Sequence, residues 1–226
     1  MESDKIDTKD DDYKHHRKGI ERAQTHKMTP QDEFWNWFSQ HEADLFDFEV
    51  DRERLFDQLA TELQKVDANL TFEFGPRQAS REFVISAGGI RRAFTAVSAL
   101  VNAAPAFDRW RITAFRPRRT PLNVVEFRGK RVDPKDVRFS LLDNGTIAGV
   151  YLFIPGFRDG DADLMQIGYL LLDDALGEYD VESRLGLIKM LRPDTHTDDE
   201  RYPLSDLPGR FDQLVSKLER HSGKPS

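Results

Sequence analysis

The chain has 226 residues, 38% hydrophobic and 32% charged, with a formal net charge of -7 at pH 7. It contains no cysteine, which excludes disulfide scaffolds, thiolate zinc sites and cysteine nucleophiles. No run approaches the roughly eighteen apolar residues of a membrane span, and the N-terminus lacks the apolar core of a secretory signal, so a soluble cytoplasmic protein with no membrane partner is expected.

Residues 1–27 carry almost no apolar side chains and include three of the six histidines, His15, His16 and His26. A segment of this composition buries too little surface to offset its ordering entropy, so it reads as a disordered tail or as sequence preceding a start at Met28. Residues 28–220 read as a single domain, and 221–226 as a loose C-terminal tail. Thr29-Pro30-Gln31-Asp32 predicts a helix entry, with Thr29 as cap, Pro30 in the first turn and Asp32 at the positive dipole end. Phe34, Trp37, Phe38 and Leu45 form its apolar stripe, and Trp35 falls off that stripe onto an edge. Leu55, Leu59, Leu63 and Val66 predict a second amphipathic helix starting near Asp51.

Leu70 to Phe74 and Arg81 to Ser86 both alternate, with Gly75-Pro76 as the turn, and predict a hairpin with Phe72, Phe74, Phe83 and Ile85 on one face. Ile90, Phe94, Val97 and Val101 predict a third helix. Trp110 to Phe115 and Val124 to Phe127 read as strands, separated by Arg116-Pro117-Arg118-Arg119-Thr120-Pro121, whose prolines deny a regular ladder. Asp143-Asn144-Gly145-Thr146 predicts a type I′ turn joining strands 137–142 and 147–154. Gly149 marks a bulge or a close backbone approach within the second of these. A helix follows from Asp159 with Leu164, Ile167, Leu171 and Ala175 on its stripe and Gly177 as its stop. Ser183 to Leu191 then reads as an edge strand, and Leu207 to Leu218 as the last helix. Hairpins dominate and no repeated strand-helix-strand rhythm is evident. The expected class is therefore α+β, with a mainly antiparallel sheet of six to seven strands and about five helices on one side or at its ends.

Charge is segregated. Residues 77–138 hold twelve Arg and two Lys against five acids, whereas 159–180 hold seven acids and no Lys or Arg. Internal pairing of these blocks is the preferred reading, with one positive face for an anionic partner as the alternative. Within the basic block, Arg111, Arg116, Arg118 and Arg119 lie near Trp110, Phe115 and Phe127, the composition of a single-stranded nucleic acid binder. Strand alternation, however, turns aromatics inward and arginines outward, so nucleic acid is disfavoured against internal pairing or a carboxylate-bearing protein partner.

The motifs of hydrolases, zinc proteases and nucleotide binders are missing, and neither a cofactor nor a metal site is expected. The spaced acids of Asp159 to Asp163 lack the terminal glutamate of a calcium loop and read as a helix cap. If the first hairpin closes symmetrically, Glu73 faces Glu82. Two facing carboxylates repel, and an enzyme can use the split in their pKa values or hold a divalent metal between them. Neutralisation by arginines of neighbouring strands, or a register that differs by one residue, is the simpler alternative.

Phe34-Trp35-Asn36-Trp37-Phe38, Leu70 to Gly75, Arg81 to Ser86 and Trp110 to Arg116 together resemble a bacterial group of hypothetical proteins with no assigned activity, over Met28 to about Leu191. The resemblance implies a bacterial, cytoplasmic single domain and supplies no site residues. The leading expectation is a non-enzymatic interaction, immunity or regulatory module. A hydrolase or metal-dependent enzyme using Glu73 and Glu82, and an RNA or single-stranded DNA binder using the arginine block, are the alternatives.

Overall fold

A computed structural model describes residues 27–222; the expectations for 1–26 and 223–226 fall outside the described residues. The architecture is α+β. Helix α1 (Pro30–Phe46) opens with a capping box in which the Thr29 hydroxyl accepts from Asp32 N–H and the Asp32 carboxylate accepts from Thr29 N–H. Its core face differs from the expected one. Trp35 is buried and donates Nε1–H to Leu100 O at 2.8 Å, whereas Trp37 lies at the edge, stacked on His41. A polar indole nitrogen that finds a carbonyl allows the ring to be taken inside. Helix α2 (Arg52–Val66) buries Leu55, Leu59 and Leu63 as its spacing requires.

Strands β1 (Thr71–Phe74) and β2 (Arg81–Ser86) form the expected hairpin, and Phe72, Phe74, Phe83 and Ile85 share one face because Phe72 pairs with Ile85 and Phe74 with Phe83. Helix α3 (Phe94–Asn102) then crosses over, so that β3 (Trp110–Ala114) lies parallel to β2. The three helices contribute side chains to the same core as Phe83 and Ile85. Aromatic packing dominates there. Phe38 stacks on Phe83 at 5.2 Å, and Trp110 meets Phe38 edge-on at 5.3 Å. Each such pair contributes about 0.5–1.5 kcal/mol beyond its buried area.

A small hairpin follows, β4 (Val125–Phe127) with β5 (Lys130–Val132), the latter absent from the sequence reading. It turns through Arg128 and Gly129, both at positive φ. Strands β6 (Arg138–Asp143) and β7 (Ala148–Phe153) form the hairpin expected around Asn144-Gly145. The turn is not type I′, because Asp143 pairs with Ala148 across a four-residue loop and only Gly145 takes a positive φ. The Asp143 carboxylate accepts Gly145 N–H at 2.9 Å and supplies the turn in its place. Gly149 meets both readings: the register against β8 shifts there, and a Cβ would lie 3.3 Å from the Cβ atoms of Leu142 and Leu187.

Helix α4 (Ala162–Leu176) is capped by Asp161, which accepts Leu164 N–H at 3.1 Å. Gly177 ends it at φ 81, but the chain re-enters a helix, α5 (Glu178–Arg184), so the strand β8 (Leu185–Leu191) begins two residues later than Ser183. The two-residue β9 (Tyr202–Pro203) pairs with β6, and α6 (Leu207–Ser222) closes the described fold.

The single six- to seven-stranded sheet is therefore replaced by three sheets, ordered β1-β2-β3, β4-β5 and β8-β7-β6-β9. Four of the six strand pairings are antiparallel, while β2–β3 and β7–β8 are parallel across helical crossovers. Each parallel crossover follows a hairpin, which obscures the strand-helix-strand rhythm in the sequence. The proline-bearing segment after β3 interrupts pairing and lets separate sheets form. The apolar side chains gather into two cores that share no residue, one from Phe34 to Phe115 and one from Val132 to Leu218.

Candidate functional site

The segment from Phe115 to Val124 passes between these cores as a strap, and its anchoring follows from the end of α4. That helix has no basic residue in its last turn, so carbonyls at the negative end of its dipole need donors from elsewhere. The strap supplies them: Arg119 N–H donates to Asp174 O at 2.7 Å, and Arg118 Nε to Leu176 O at 2.8 Å. Gly177 allows the close approach, since a Cβ there would sit 3.4 Å from Arg116 O on a backbone already at φ 81. Phe115, at φ 63, turns the strap out of β3. Its left-handed backbone costs about 1–2 kcal/mol, offset by its N–H bond to Ile85 O at 2.8 Å and by packing on Phe94 and Tyr179.

The fully buried Glu178 ties the same junction from α5. Its Oε1 accepts Ala87 N–H at 3.0 Å and Gly89 N–H at 3.1 Å, and its Oε2 accepts Arg116 N–H at 3.1 Å. Around it lies an ionic network. Arg116 bonds Glu73 at 2.5 Å and reaches Asp173 at 3.4 Å; Arg119 bonds Glu73 at 3.0 Å and Asp174 at 3.2 Å. Burial pushes the Asp173 carboxyl up to about 7 against the opposing charge of Arg116, with Glu178 and Glu182 adding to the rise. Burial also raises Asp174, against Arg119, and Glu182, beside Glu178.

The structure thus brings together Glu73, Arg116 and Arg119, and places Arg118 beside them on Asp180 and Asp212. It separates the expected acid pair. The hairpin register is displaced by two residues from the symmetric one, so Glu73 lies opposite Val84 rather than Glu82. The Gly75 N–H to Glu82 O bond at 2.9 Å fixes this, because the ladder extends one pair further around the loop. Glu82 pairs instead with Arg111 at 3.0 Å and accepts the Thr113 hydroxyl at 2.8 Å. Among the described residues, no group of three or more His, Cys, Asp or Glu is arranged to hold a metal ion, and no helix is long and apolar enough to cross a membrane.

On the strap's further stretch, Arg119, Thr120, Pro121, Leu122 and Val124 line a groove of about 620 Å³ with Asp133, Pro134, Lys135, Arg138, Pro203, Leu204, Ser205 and Pro208. That volume lies within the roughly 300–1,000 Å³ of ligand-binding clefts. Four prolines give it a rigid lining that needs little ordering on binding. Sequence reasoning missed Lys135, Arg138 and the 203–208 segment. The two prolines of the strap were the available signal, but they marked only a break in the sheet.

No family model, curated protein or solved structure matches the chain.

Proposed function

We propose that the protein is a non-enzymatic interaction module, regulatory or immunity-related, that holds a protein partner on this groove. The observation that carries the reading is the groove itself: an apolar, proline-lined cleft whose strap is secured at both backbone and side chain by the neighbouring ionic network. A preorganised cleft favours association because fewer groups are ordered at the moment of binding. Against catalysis by Glu73 and Glu82 stands the commitment of each carboxylate to guanidinium groups of its own chain. As part of the same proposal, the protein works in the bacterial cytoplasm, which its lack of cysteine suits.

Site-specific photocrosslinking tests the assignment. A benzoylphenylalanine at Val124, on the groove, is compared in native cell lysate with one at Val50, which is 89% exposed and outside the groove. A light-dependent adduct of discrete mass from position 124 alone is expected. No adduct there, or the same adducts from both positions, overturns the reading.

A further inference from the structure

The distribution of unpaired positive charge narrows the partner's chemistry. Of the fourteen basic side chains in residues 77–138, ten make ion pairs with carboxylates of the same chain: Arg77, Arg81, Arg109, Arg111, Arg116, Arg118, Arg119, Arg128, Lys130 and Arg131. Four make none among the described residues, namely Arg91, Arg92, Lys135 and Arg138. Two of those four, Lys135 and Arg138, line the same groove. Arg92 has a neutral partner, Asn69 Oδ1 at 3.2 Å. Arg138 spends one nitrogen on the carbonyls of Lys135 and Val137, which orients its guanidinium without neutralising it.

The groove therefore carries three cations and one carboxylate, Asp133, in a chain of net charge -7. Arg119 is already neutralised by Glu73 and Asp174, so the available positive charge sits on Lys135 and Arg138, beside the one carboxylate of Asp133. An occupant that matches this surface needs apolar bulk for Pro121, Leu122, Val124 and Leu204, together with carboxylates for the two free cations. Resting on the interaction-module reading, we infer that the groove takes an extended, acid-bearing segment of a protein partner, with its carboxylates on Lys135 and Arg138 and its apolar side chains against the prolines. Electrostatic complementarity of this kind contributes specificity and association rate, and it weakens with salt. The apolar lining favours a polypeptide over RNA: no aromatic side chain lines the groove to stack a base.

The test uses the full chain and two fluorescent peptides, one repeating Glu-Leu-Pro and one repeating Gln-Leu-Pro, which proline holds extended. Fluorescence polarisation is expected to give at least about tenfold tighter binding of the glutamate peptide, with affinity falling as salt is raised. Lys135→Glu, whose ammonium makes no bond among the described residues, lowers that affinity at least about tenfold. Arg138→Glu adds to the loss, and the circular dichroism of each variant is compared with wild type to confirm folding. Equal binding of both peptides, or unchanged binding by folded Lys135→Glu, overturns the inference. So does tighter binding of a single-stranded RNA oligonucleotide that the same substitution abolishes. If the glutamate peptide fails while the crosslink at position 124 persists, the acidic partner is wrong and the groove assignment stands. Loss of both results removes both.

Discussion

Replacing Asp173 by Asn converts an acid held at the junction of the two cores into a neutral isostere, and the sign of the effect depends on pH. The Asp173 side chain is 10% exposed, and its carboxyl is raised from 3.8 to about 7, first by burial and only partly opposed by Arg116. The folded-state value lies above the unfolded one, so over the interval between them the native state holds a proton that the unfolded chain has lost. The stabilisation is fully present below pH 3.8 and is lost as pH rises through 7, at about 1.4 kcal/mol per pH unit. The amide never ionises. The stability of Asp173→Asn relative to wild type should therefore increase by about 2.5 kcal/mol between pH 5 and pH 8 and change little above that. Urea unfolding at four pH values, followed by circular dichroism, measures this difference, and the comparison cancels the titration of other groups. The geometry also offers a rival account, because Arg116 approaches Asp173 at 3.4 Å as an ion-pair partner. Its shorter contact is with Glu73 at 2.5 Å, which leaves Asp173 the less favoured of the two. A difference that stays constant with pH, or a wild type that gains on the variant as pH rises, would show that Asp173 serves as a charged partner and refute the burial argument.

Glu178→Ala leaves the N–H groups of Ala87, Gly89 and Arg116 without their carboxylate and should cost about 3 kcal/mol at roughly 1 kcal/mol each. Because Trp35 and Trp110 both report the first core, their fluorescence should then unfold out of step with circular dichroism, and coincident transitions would argue against a junction role. Arg111→Ala and Arg116→Ala remove the same chemical group from one stretch of sequence with different results. The Arg111 side chain is 73% exposed, and its loss should change urea-derived stability by less than about 1 kcal/mol, whereas the 18% exposed Arg116 should cost about 3 kcal/mol. Glu73→Gln should lower the melting temperature and leave the response to added magnesium or manganese identical to wild type. A divalent-ion stabilisation lost in this variant would revive the acid-pair enzyme.

Local structure was legible wherever one residue type answers one backbone need. The Thr29 cap, an acidic cap within Asp159 to Asp163, the Gly177 stop and the alternation of β1 and β2 all follow from nearby groups, and the structure keeps each of them, with Asp161 as the cap and the helix starting at Ala162. Trp35 shows where such reasoning ends. Helical spacing put it at an edge, but the carbonyl of Leu100, 65 positions away, satisfies its indole and draws it into the core. The hairpin registers failed for a related reason. Both depend on how many residues the loop consumes, and neither Gly75 to Ser80 nor Asn144 to Ile147 closes by the shortest route. Sheet division was invisible because the strand pairing of β2 with β3 and β7 with β8 is made across intervening helices.

The site was half legible, and the half that was missed is the informative one. Counting charges along the sequence singled out Arg111, Arg116, Arg118 and Arg119, and the structure gives every one of these a carboxylate. Their partners are Glu73 and Glu82 in the hairpin, Asp173 and Asp174 in α4, Asp180 in α5 and Asp212 in α6, so these central arginines are answered from within the chain. A cation already answered by its own chain has little left to offer a partner, since any new anion must displace one that is held in place. A basic side chain becomes a recognition group only when the fold withholds a carboxylate from it. Among the described residues Lys135 and Arg138 have no carboxylate partner, and they line a groove that is otherwise largely apolar. Neither stands out in sequence, because what distinguishes them is the lack of a carboxylate partner among the described residues, which only the folded arrangement determines.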